Sequence, residues 1–584
     1  MAEKRQVVDA SIGSDVLNTS ENNSTVENPM NVSSTEMDTF ELESPVSDCP
    51  NSPQYGTPDM WSMDYIGLYA QYAAVGLLYG TSGAVVPFCV YAYDGATNIC
   101  SNAKNIMFFA WSLKIFFAML TDVVHPFGYK RKFWMNLGWF CVLVLLFVLA
   151  VSAHTMSLPS WLGTIMAMQF FLMLSDVPAD GYSVELGQLE RPEVRGQILA
   201  TGQLVRFCFS IFAGVIQTFF LNGRQTNAED CNISFGECWE FGLSVNGYYG
   251  VIFCCILLLY IPIYRLKELE GGQASVPFKH FISEVWVTLQ NLTTLYLMIF
   301  VIGTVGLTNL TNIVNVYLQF YIIELTNFEA GIDTITSYMA LAGAVYLFKT
   351  YLIRRNWRYT QYGSSIGTGI LSLAWISAYY NSSGTMNAWY TIFIDLDQQF
   401  AQGLSQVLYS MAVIELAKPG LEATTYELIV TVGNAALMIN GIIATQLLDP
   451  LKVVGCDDDG GNCPSDSVDL SSVQAYRDTN GPERYTIYTL VLLAINIGAT
   501  LIFVPFLPSS REECQSWKAM GEQMGTSVLR GKFTFGLSVA IIVVSVLCIC
   551  IFIIISDLSK YLFAGNYSME LLQQFCYLIL ILPV

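Results

Sequence analysis

The sequence has little of the chemistry that enzymes and pumps use. Histidine occurs only three times, at positions 125, 154 and 280, and the chain contains no HExxH or GxxxxGK[ST] motif. Charged residues make up only 13% of the 584 positions, whereas 53% are hydrophobic. A water-soluble protein of this size could not easily solvate such a composition. We therefore predict a membrane protein that is not an enzyme or an ATP-driven pump and needs no metal or cofactor.

Long apolar runs are what the chain has instead. Runs of roughly 18 to 25 residues are long enough to cross a bilayer as helices. Six predicted spans lie near residues 64–85, 105–121, 134–153, 160–184, 196–221 and 244–264. Six more lie near 292–316, 334–353, 362–380, 389–413, 424–448 and 485–507, and an extra one near 534–556. The pattern predicts an all-α polytopic membrane protein with two six-helix halves plus one extra C-terminal transmembrane helix.

The segments around these spans define the remaining parts. Residues 1–60 are polar and acidic and cannot bury enough apolar surface to fold, which predicts a disordered cytoplasmic tail. The two bundles then occupy 61–264 and 292–507. Between them, apolar residues at helical spacing in the cytoplasmic linker 265–291 predict an amphipathic helix on the membrane surface, with a simple extension of span seven as the alternative. A second cytoplasmic linker follows at 508–533, and residues 534–584 hold the extra span and the tail.

Basic residues fall on alternate loops, which predicts the orientation. Lys and Arg are retained on the cytoplasmic side, and here they cluster at 130–132, 191–195, 265–267, 354–358 and 511–518. The amino terminus is therefore predicted to be cytoplasmic, in a protein of the plasma membrane. The opposite loops are acidic, and the net charge of -20 argues against a nucleic-acid partner. The sequence does not indicate an oligomeric state.

Three cysteine pairs lie on the predicted outer side, where disulfides survive. They are Cys89 with Cys100, Cys231 with Cys238, and Cys456 with Cys463. Pairing within each loop is plausible, and pairing between loops is equally open. Glycosylation sequons at Asn232 and Asn381 fall on the same side.

Three acids interrupt the apolar run between Trp161 and Leu186, in the order SDVPADGYSVEL. An ionisable side chain at membrane depth costs about 2.5 to 3.5 kcal/mol on insertion scales and faces a bundle interior or a wet cavity. At a rise of ~1.5 Å per residue, Asp176 lies about 14 Å from the inner turn. Asp180, four residues later, points to the same helix face.

Two cations are predicted at the same level as these acids. Arg206 lies about 16 Å deep on span five and Lys114 about 12 Å deep on span two. We expect both cations to share one layer with Asp176 and Asp180. One interpretation is a structural network of mutually neutralising charges. The other makes some of the four ligands for a substrate or a proton, which would couple proton movement to transport.

The two halves also resemble each other at their inner turns. Span four ends in VELGQLERPEVRGQIL and span ten in IELAKPGLEATTYELI, and both place Glu-Leu before Pro. Weak similarity between two six-span halves is typical of transporters built from repeats, which bind a small solute near the midplane.

Three segments resemble the folate-biopterin transporter family, a branch of the major facilitator superfamily. They are WSLKIFFAMLTDVVHPFGYKRKFW, DVPADGYSVE and ELAKPGLEATTYELIVTVGN, and they occur in the family's order. The resemblance covers roughly residues 62 to 507 and implies the major facilitator superfamily fold. The three motifs together are specific for the family, whereas any one of them alone would be a weak signal.

The resemblance also implies a gate on the inner side. Asp122, Gly128 and Arg131 fall on the superfamily's inner-loop signature, which latches the two halves together and switches the carrier between its outward- and inward-open states. Glu185 is the implied partner on span four, and Glu422 in the third matching segment is a further predicted gating residue. The alternative for the signature is a basic turn that serves topology alone.

In this fold, spans one, four, seven and ten line the cavity. On span seven, Thr308, Thr311 and Asn315 follow Thr304 at helical spacing as a polar stripe, which either lines the cavity or bonds neighbouring helices. On span one, Tyr72 could stack on a pterin ring or pack as an ordinary aromatic. Asp395 on span ten lies near the outer end and is predicted as an outer gate, with a solvated helix end as the alternative.

Together these patterns predict a secondary active transporter for a folate- or pterin-like solute, working by alternating access and coupled to protons. One carboxylate can accept the paired N–H donors of a pterin, and an Arg suits a folate carboxylate. Asp176 or Asp180 with Arg206 could supply both. The alternatives are a carrier of another small organic solute, or a membrane sensor that kept the carrier fold without transporting.

Overall fold

The structure is a computed structural model whose described residues are 56–93, 107, 109–221, 242–268, 277–308, 310–380, 384–418, 420–453, 455–456 and 467–562. The described elements are helical except for two short strands, β1 (Gly455–Cys456) and β2 (Val468–Asp469), which pair in parallel.

We name the helices before residue 270 the N group. Its members are α1 (Gly67–Gly80), α2 (Ser82–Pro87), α3 (Lys114–Val123), α4 (Lys132–Ser152), α5 (Leu158–Leu189), α6 (Gln197–Phe220) and α7 (Val245–Arg265). A π-helical turn, Phe88–Ala92, follows α2, and a 3-10 turn, Phe109–Leu113, leads into α3.

We name the helices between residues 292 and 503 the C group. Its members are α9 (Leu292–Leu307), α10 (Ile313–Tyr317), α11 (Asn327–Leu347), α12 (Trp357–Leu371), α13 (Ala374–Tyr379), α14 (Ala388–Ile394), α15 (Leu396–Leu416), α16 (Glu422–Gln446), α17 (Val473–Asp478) and α18 (Gly481–Phe503). Outside the two groups lie α8 (Phe278–Leu289), α19 (Arg511–Gln523) and α20 (Val528–Leu562).

Each predicted span overlaps one helix or a pair of consecutive helices. Among the described residues, seven helices are long and apolar enough to cross a membrane, or eight if one bent pair counts as a single span. The predicted total of twelve spans plus one is not confirmed by this measure. Several predicted spans are interrupted, so their separate pieces are too short to cross alone.

The bent pair consists of α8 and α9, whose axes differ by 68°. The side chain of Asn291 accepts a hydrogen bond from the backbone N–H of Thr293 and so caps the start of α9. The segment 278–289 is therefore a separate helix and does not extend span seven in a straight line. Phe278 and Ile282 on it are exposed, in keeping with the predicted amphipathic helix.

Glycines set the close packing of α1 against α6. A Cβ atom added at Gly76 would collide with the backbone carbonyl of Arg206, and one at Gly80 would collide with Ser210 and Ala213. The Ser210 hydroxyl donates to the Gly76 carbonyl at 2.9 Å. Small residues one turn apart let two membrane helices approach at backbone distance. This approach fixes the position from which the Arg206 side chain extends.

The N and C groups meet along two seams. Helix α6 packs along α11, while α16 packs against both α3 and α5. The extra helix α20 packs mainly on α16 and also contacts α8. We call the end of the bundle that carries the connections 124–131 and 190–196 the basic-loop face.

Several predictions fall on residues that the structure does not describe. The amino-terminal 55 residues, both sequons and residues 563–584 lie outside the described residues. Each predicted cysteine pair includes at least one such member, namely Cys100, Cys463 or the pair Cys231 and Cys238. The disulfide and glycan predictions therefore stay predictions.

Candidate functional site

Four charged residues predicted to share one layer lie within ion-pair distance of each other. The Lys114 ammonium is 2.8 Å from Asp176 and 3.1 Å from Asp180. The Arg206 guanidinium is 2.5 Å from Asp176 and 3.8 Å from Asp180. All four side chains are at most 6% exposed. Their proximity is observed, whereas their role as substrate or proton ligands stays a prediction.

Tyr72 takes part in this network and is completely buried. Its hydroxyl donates to Asp180 at 2.7 Å and also lies 2.8 Å from the hydroxyl of Ser183. The Arg206 guanidinium lies 5.1 Å from the centre of the Tyr72 ring, a cation–π contact. In this closed arrangement the ring face is taken by Arg206, so Tyr72 packs here as an aromatic partner of the charges.

The sequence reasoning missed a fifth member, Glu427 on α16. Its carboxylate is fully buried and lies 3.2 Å from Lys114, and among the described residues its Oε2 atom has no hydrogen-bond partner. We call Lys114, Asp176, Asp180, Arg206 and Glu427 the ion cluster. Glu427 lies inside the third matching segment, ELAKPGLEATTYELIVTVGN, but nothing in one sequence gives its depth relative to helices of the other group.

Glu427 makes the ion cluster a contact between the N and C groups. A second bond supports it, since the backbone N–H of Ile115 donates to the Thr431 hydroxyl at 3.1 Å. The cluster contains three carboxyl groups and two cations. Fully ionised, it would therefore carry one net negative charge away from water.

The predicted gating residues meet at the basic-loop face. The Arg131 guanidinium is 2.6 Å from Asp122, 2.7 Å from Glu185 and 3.4 Å from Glu422. Lys130 joins the same two glutamates, at 2.6 Å and 2.9 Å. Because Glu422 belongs to α16, these pairs join the two helix groups. We call Asp122, Lys130, Arg131, Glu185 and Glu422 the latch.

Asp122 and Gly128 shape the latch in different ways. The Asp122 carboxylate also accepts bonds from the Thr424 backbone N–H at 2.8 Å and from its hydroxyl at 2.6 Å. Gly128 has φ +82°, in the left-handed region that favours glycine. Glu268, which the sequence reasoning missed, accepts the backbone N–H groups of Lys130 and Arg131 at 3.0 and 2.7 Å. The turn is thus held in the conformation that places Arg131 between its three acids.

A second contact between the groups lies beside the latch. Arg195 is 2.9 Å from Glu415, and the Gln188 amide donates to the Ala417 carbonyl at 2.9 Å. Helix α19 covers this contact, since Arg511 lies 3.8 Å from Glu415 and donates to the Arg195 carbonyl. Two sets of contacts therefore close the basic-loop face. One is the latch, and the other is the Arg195–Glu415 contact beneath α19.

Glu190, just past the end of α5, is buried at the same face. Its carboxylate accepts the backbone N–H groups of Gly196 at 2.5 Å and of Ile198 at 3.0 Å, and so caps the start of α6. Burial raises the pKa of Glu190 to about 7, against the opposing effect of these bonds. This acid can change charge near neutral pH.

The predicted polar stripe of span seven does not run along one helix. Helix α9 ends at Leu307, and the Thr308 hydroxyl bonds back to the Thr304 carbonyl. Thr311 then bonds to Asn440 through its backbone N–H at 3.0 Å and its hydroxyl at 3.1 Å. The helical-spacing prediction is wrong here because hydrogen bonds to a neighbouring helix replace those of a continuous helix.

Asn315 on α10 faces a different space from the ion cluster. It accepts a hydrogen bond from the Tyr379 hydroxyl at 2.5 Å and lines a cavity within the C group. We call this space the C cavity. It holds about 50 Å³ of water-accessible space and is open on one side, and its polar lining includes Asn312, Asn315, Thr368, Ser372, Asp395, Gln398, Thr489 and Asn496.

Asp395, predicted as an outer gate, lies between the end of α14 and the start of α15 and lines the C cavity. The structure therefore separates the predicted site residues into the ion cluster, the latch and the C cavity. Thr308 and Thr311 lie in none of the three.

Comparisons with known proteins agree with this architecture. The sequence model of the BT1 family matches residues 80–462, well over half of the chain. Among solved structures, the chain is similar to the proton:xylose symporter XylE of the major facilitator superfamily, bound to 6-bromo-6-deoxy-D-glucose. The TM-score is 0.50 at 13% sequence identity, over 78% of this chain and 98% of that chain. This likeness shows that the fold is that of the major facilitator superfamily.

Two further solved structures are more distant. A D-xylose-proton symporter gives a TM-score of 0.49 at 12% identity, over 77% of this chain and 99% of that chain. A bacterial homologue of the iron transporter ferroportin in an outward-facing state gives 0.45 at 12% identity, over 76% and 99%. No curated protein sequence matches the chain significantly.

Proposed function

Because the chain belongs to the BT1 family of membrane transporters, we propose that it moves a pterin- or folate-like solute across the membrane by alternating access, coupled to proton movement. The observation that carries the coupling is the unequal charge of the ion cluster. Among the described residues, its three buried carboxyl groups are paired with two cations, Lys114 and Arg206.

An unbalanced negative charge in this dry layer would cost several kcal/mol. One bound proton removes the imbalance. We assign it to Asp180 and Glu427, because both carboxylates contact the same Lys114 ammonium, at 3.1 and 3.2 Å, and the Glu427 Oε2 atom has no hydrogen-bond partner among the described residues. The closed cluster therefore holds one proton in this proposal.

Opening of the molecule changes this balance. Glu427 lies on α16, whereas Lys114 lies on α3. When the two groups separate, Glu427 leaves both Lys114 and Asp180 and reaches water. There it can exchange its proton, so proton release follows the change of conformation.

The latch supplies the second requirement of alternating access, a gate that closes one side. Its ion pairs cross between the groups at the basic-loop face. We place this face on the cytoplasmic side of the plasma membrane, because its loops carry the basic residues that are retained there. The state described by the structure is then closed toward the cytoplasm.

Transport by the purified protein in proteoliposomes tests this function. An inward proton gradient is expected to drive labelled pterin or folate above its equilibrium level, and a protonophore is expected to abolish the accumulation. Liposomes without protein give the background. Specific binding of these solutes without any transport would instead favour the sensor alternative.

A further inference from the structure

The C cavity offers space that the ion cluster lacks. It is enclosed by α10, α12, α13, α15 and α18, all of the C group. One lining residue is Trp375, an aromatic ring, and Asn312, Asn315 and Thr489 contribute polar side chains. Eight of the thirteen lining residues are polar, so the wall offers several hydrogen-bonding groups beside one aromatic ring.

Asp395 is the exceptional residue of this cavity. Among the described residues, its carboxylate has no ion pair and no hydrogen bond, and the residue is partly buried in the cavity wall. The neighbouring acid is Asp333 on α11, which interacts with it as a like charge and has a buried carboxylate oxygen without a hydrogen-bond partner. A carboxylate that lines a cavity and has no donor from the protein is available to accept N–H donors from a bound ligand.

Asn312 provides a second acceptor in the same space. Its amide nitrogen donates to Tyr379 at 3.2 Å and to Thr489 at 3.0 Å, which fixes the orientation of the side chain. Its amide oxygen is buried and has no hydrogen-bond partner within the part of the chain that the structure describes. The cavity thus presents two unsatisfied acceptor groups, on Asp395 and Asn312.

We propose that the C cavity binds the heterocyclic end of the solute and that Asp395 selects a ring edge bearing two adjacent N–H donors. This inference rests on the proposed transport of pterin-like solutes. A carboxylate can accept two parallel N–H bonds. In a 2-amino-4-oxopteridine, the ring N–H and the exocyclic amino group present that pair. In pteridine-2,4-dione a carbonyl oxygen replaces the amino group and would face the carboxylate as a second acceptor.

The D395N substitution tests this assignment by a gain of function. An Asn side chain offers one donor and one acceptor, which match the ring N–H and the carbonyl of the dione. The wild type is expected to bind 2-amino-4-oxopteridine at least about tenfold more tightly than the dione. Asp395→Asn is expected to gain binding of the dione and lose the preference, because both rings carry a ring N–H next to the 4-oxo carbonyl. A misfolded variant could not gain binding.

Asp333→Asn is the matched control, because it removes the neighbouring charge but not the residue that lines the cavity. It is expected to keep the wild-type preference. The measurement is equilibrium binding of both rings to the purified full chain, together with uptake in proteoliposomes.

Two outcomes overturn the inference while the proposed function stands. One is pterin uptake by a wild type that binds both rings equally, and the other is D395N protein with the wild-type preference. Absence of uptake and binding of any pteridine by the wild type would overturn the proposed function, and this inference with it.

Discussion

The ion cluster and the C cavity differ in where charge and free space are found. In the ion cluster every cation is paired with an acid, all five side chains are nearly inaccessible, and the contacts join the N group to the C group. The C cavity lies within the C group, has open volume, and contains an acid without a partner among the described residues.

This difference separates two tasks of a transporter. A filled ion cluster can hold a proton but has no space for a ring while it is closed. Because it joins moving parts, its protonation can be linked to the change of conformation. The C cavity lies within one group and is open on one side, and in our proposal its acceptor groups bind and select the solute. Substitutions in the two regions should therefore have different consequences.

Lys114→Met is expected to have the largest effect. It leaves three buried acids with Arg206 alone, and breaking a buried ion pair from one side costs about 3–5 kcal/mol. We expect a large loss of thermal stability in detergent and loss of uptake. Lys418→Met is the control, since the pair of Lys418 with Glu284 is 3.6 Å long and about a third exposed; it should cost less than about 1 kcal/mol. Equal stability of the two variants would show that the buried charges of the ion cluster contribute no more to stability than the partly exposed Lys418–Glu284 pair.

Glu190→Gln is expected to change how stability depends on pH. The pKa of Glu190 is raised from 4.5 to about 7 in the folded protein, so between these values the native state holds more protons than the unfolded state. The wild type should lose stability as pH rises through this window, by at most about 3 kcal/mol.

Thermal unfolding at several pH values measures this effect. The Gln variant should lack this part of the pH dependence, whereas Glu193→Gln, at an exposed position in the same loop, should retain it. A wild-type pH profile in the Glu190 variant would show that this acid does not titrate in the window.

Arg131→Met is expected to weaken the closed state at the basic-loop face. It removes the cation that joins Glu185 to Glu422 across the two groups. A loss of about 1.4 kcal/mol or more would shift the closed-to-open ratio at least about tenfold. Spin labels at the exposed Phe127 and Tyr359 should report a longer distance. Arg191→Met, in a neighbouring exposed loop, is the control and should leave the distance unchanged. An unchanged distance in the Arg131→Met protein would show that the latch does not hold the face closed.

Asn312→Ala is expected to have the smallest effect, confined to solute affinity. Loss of one acceptor should weaken pterin binding about tenfold and leave proton coupling intact. Thr311→Ala is the comparison, because Thr311 bonds to Asn440 and does not line the cavity. Binding isotherms distinguish them, and equal weakening by both substitutions would argue that the solute lies nearer α9.

The sequence predicted more of the ion cluster than of the C cavity, for a physical reason. Helical rise sets the depth of a residue relative to the nearest turn, and this sufficed to place Asp176, Arg206 and Lys114 together. It does not set the register between separate groups, so Glu427 was missed. The C cavity depends on the break after Leu307 and on the Thr311–Asn440 bonds, which local helical spacing does not reveal.

The proton held by the ion cluster is the central claim, and Glu427→Gln tests it most directly. A Gln side chain resembles a permanently protonated Glu, so the variant cluster is neutral without a bound proton. In proteoliposomes it should exchange labelled pterin across the membrane within about twofold of the wild-type rate, because uncharged packing is preserved. It should fail to accumulate pterin under a proton gradient. Glu483→Gln, at an exposed position, should behave as the wild type. Full gradient-driven accumulation by the Glu427 variant would contradict the account.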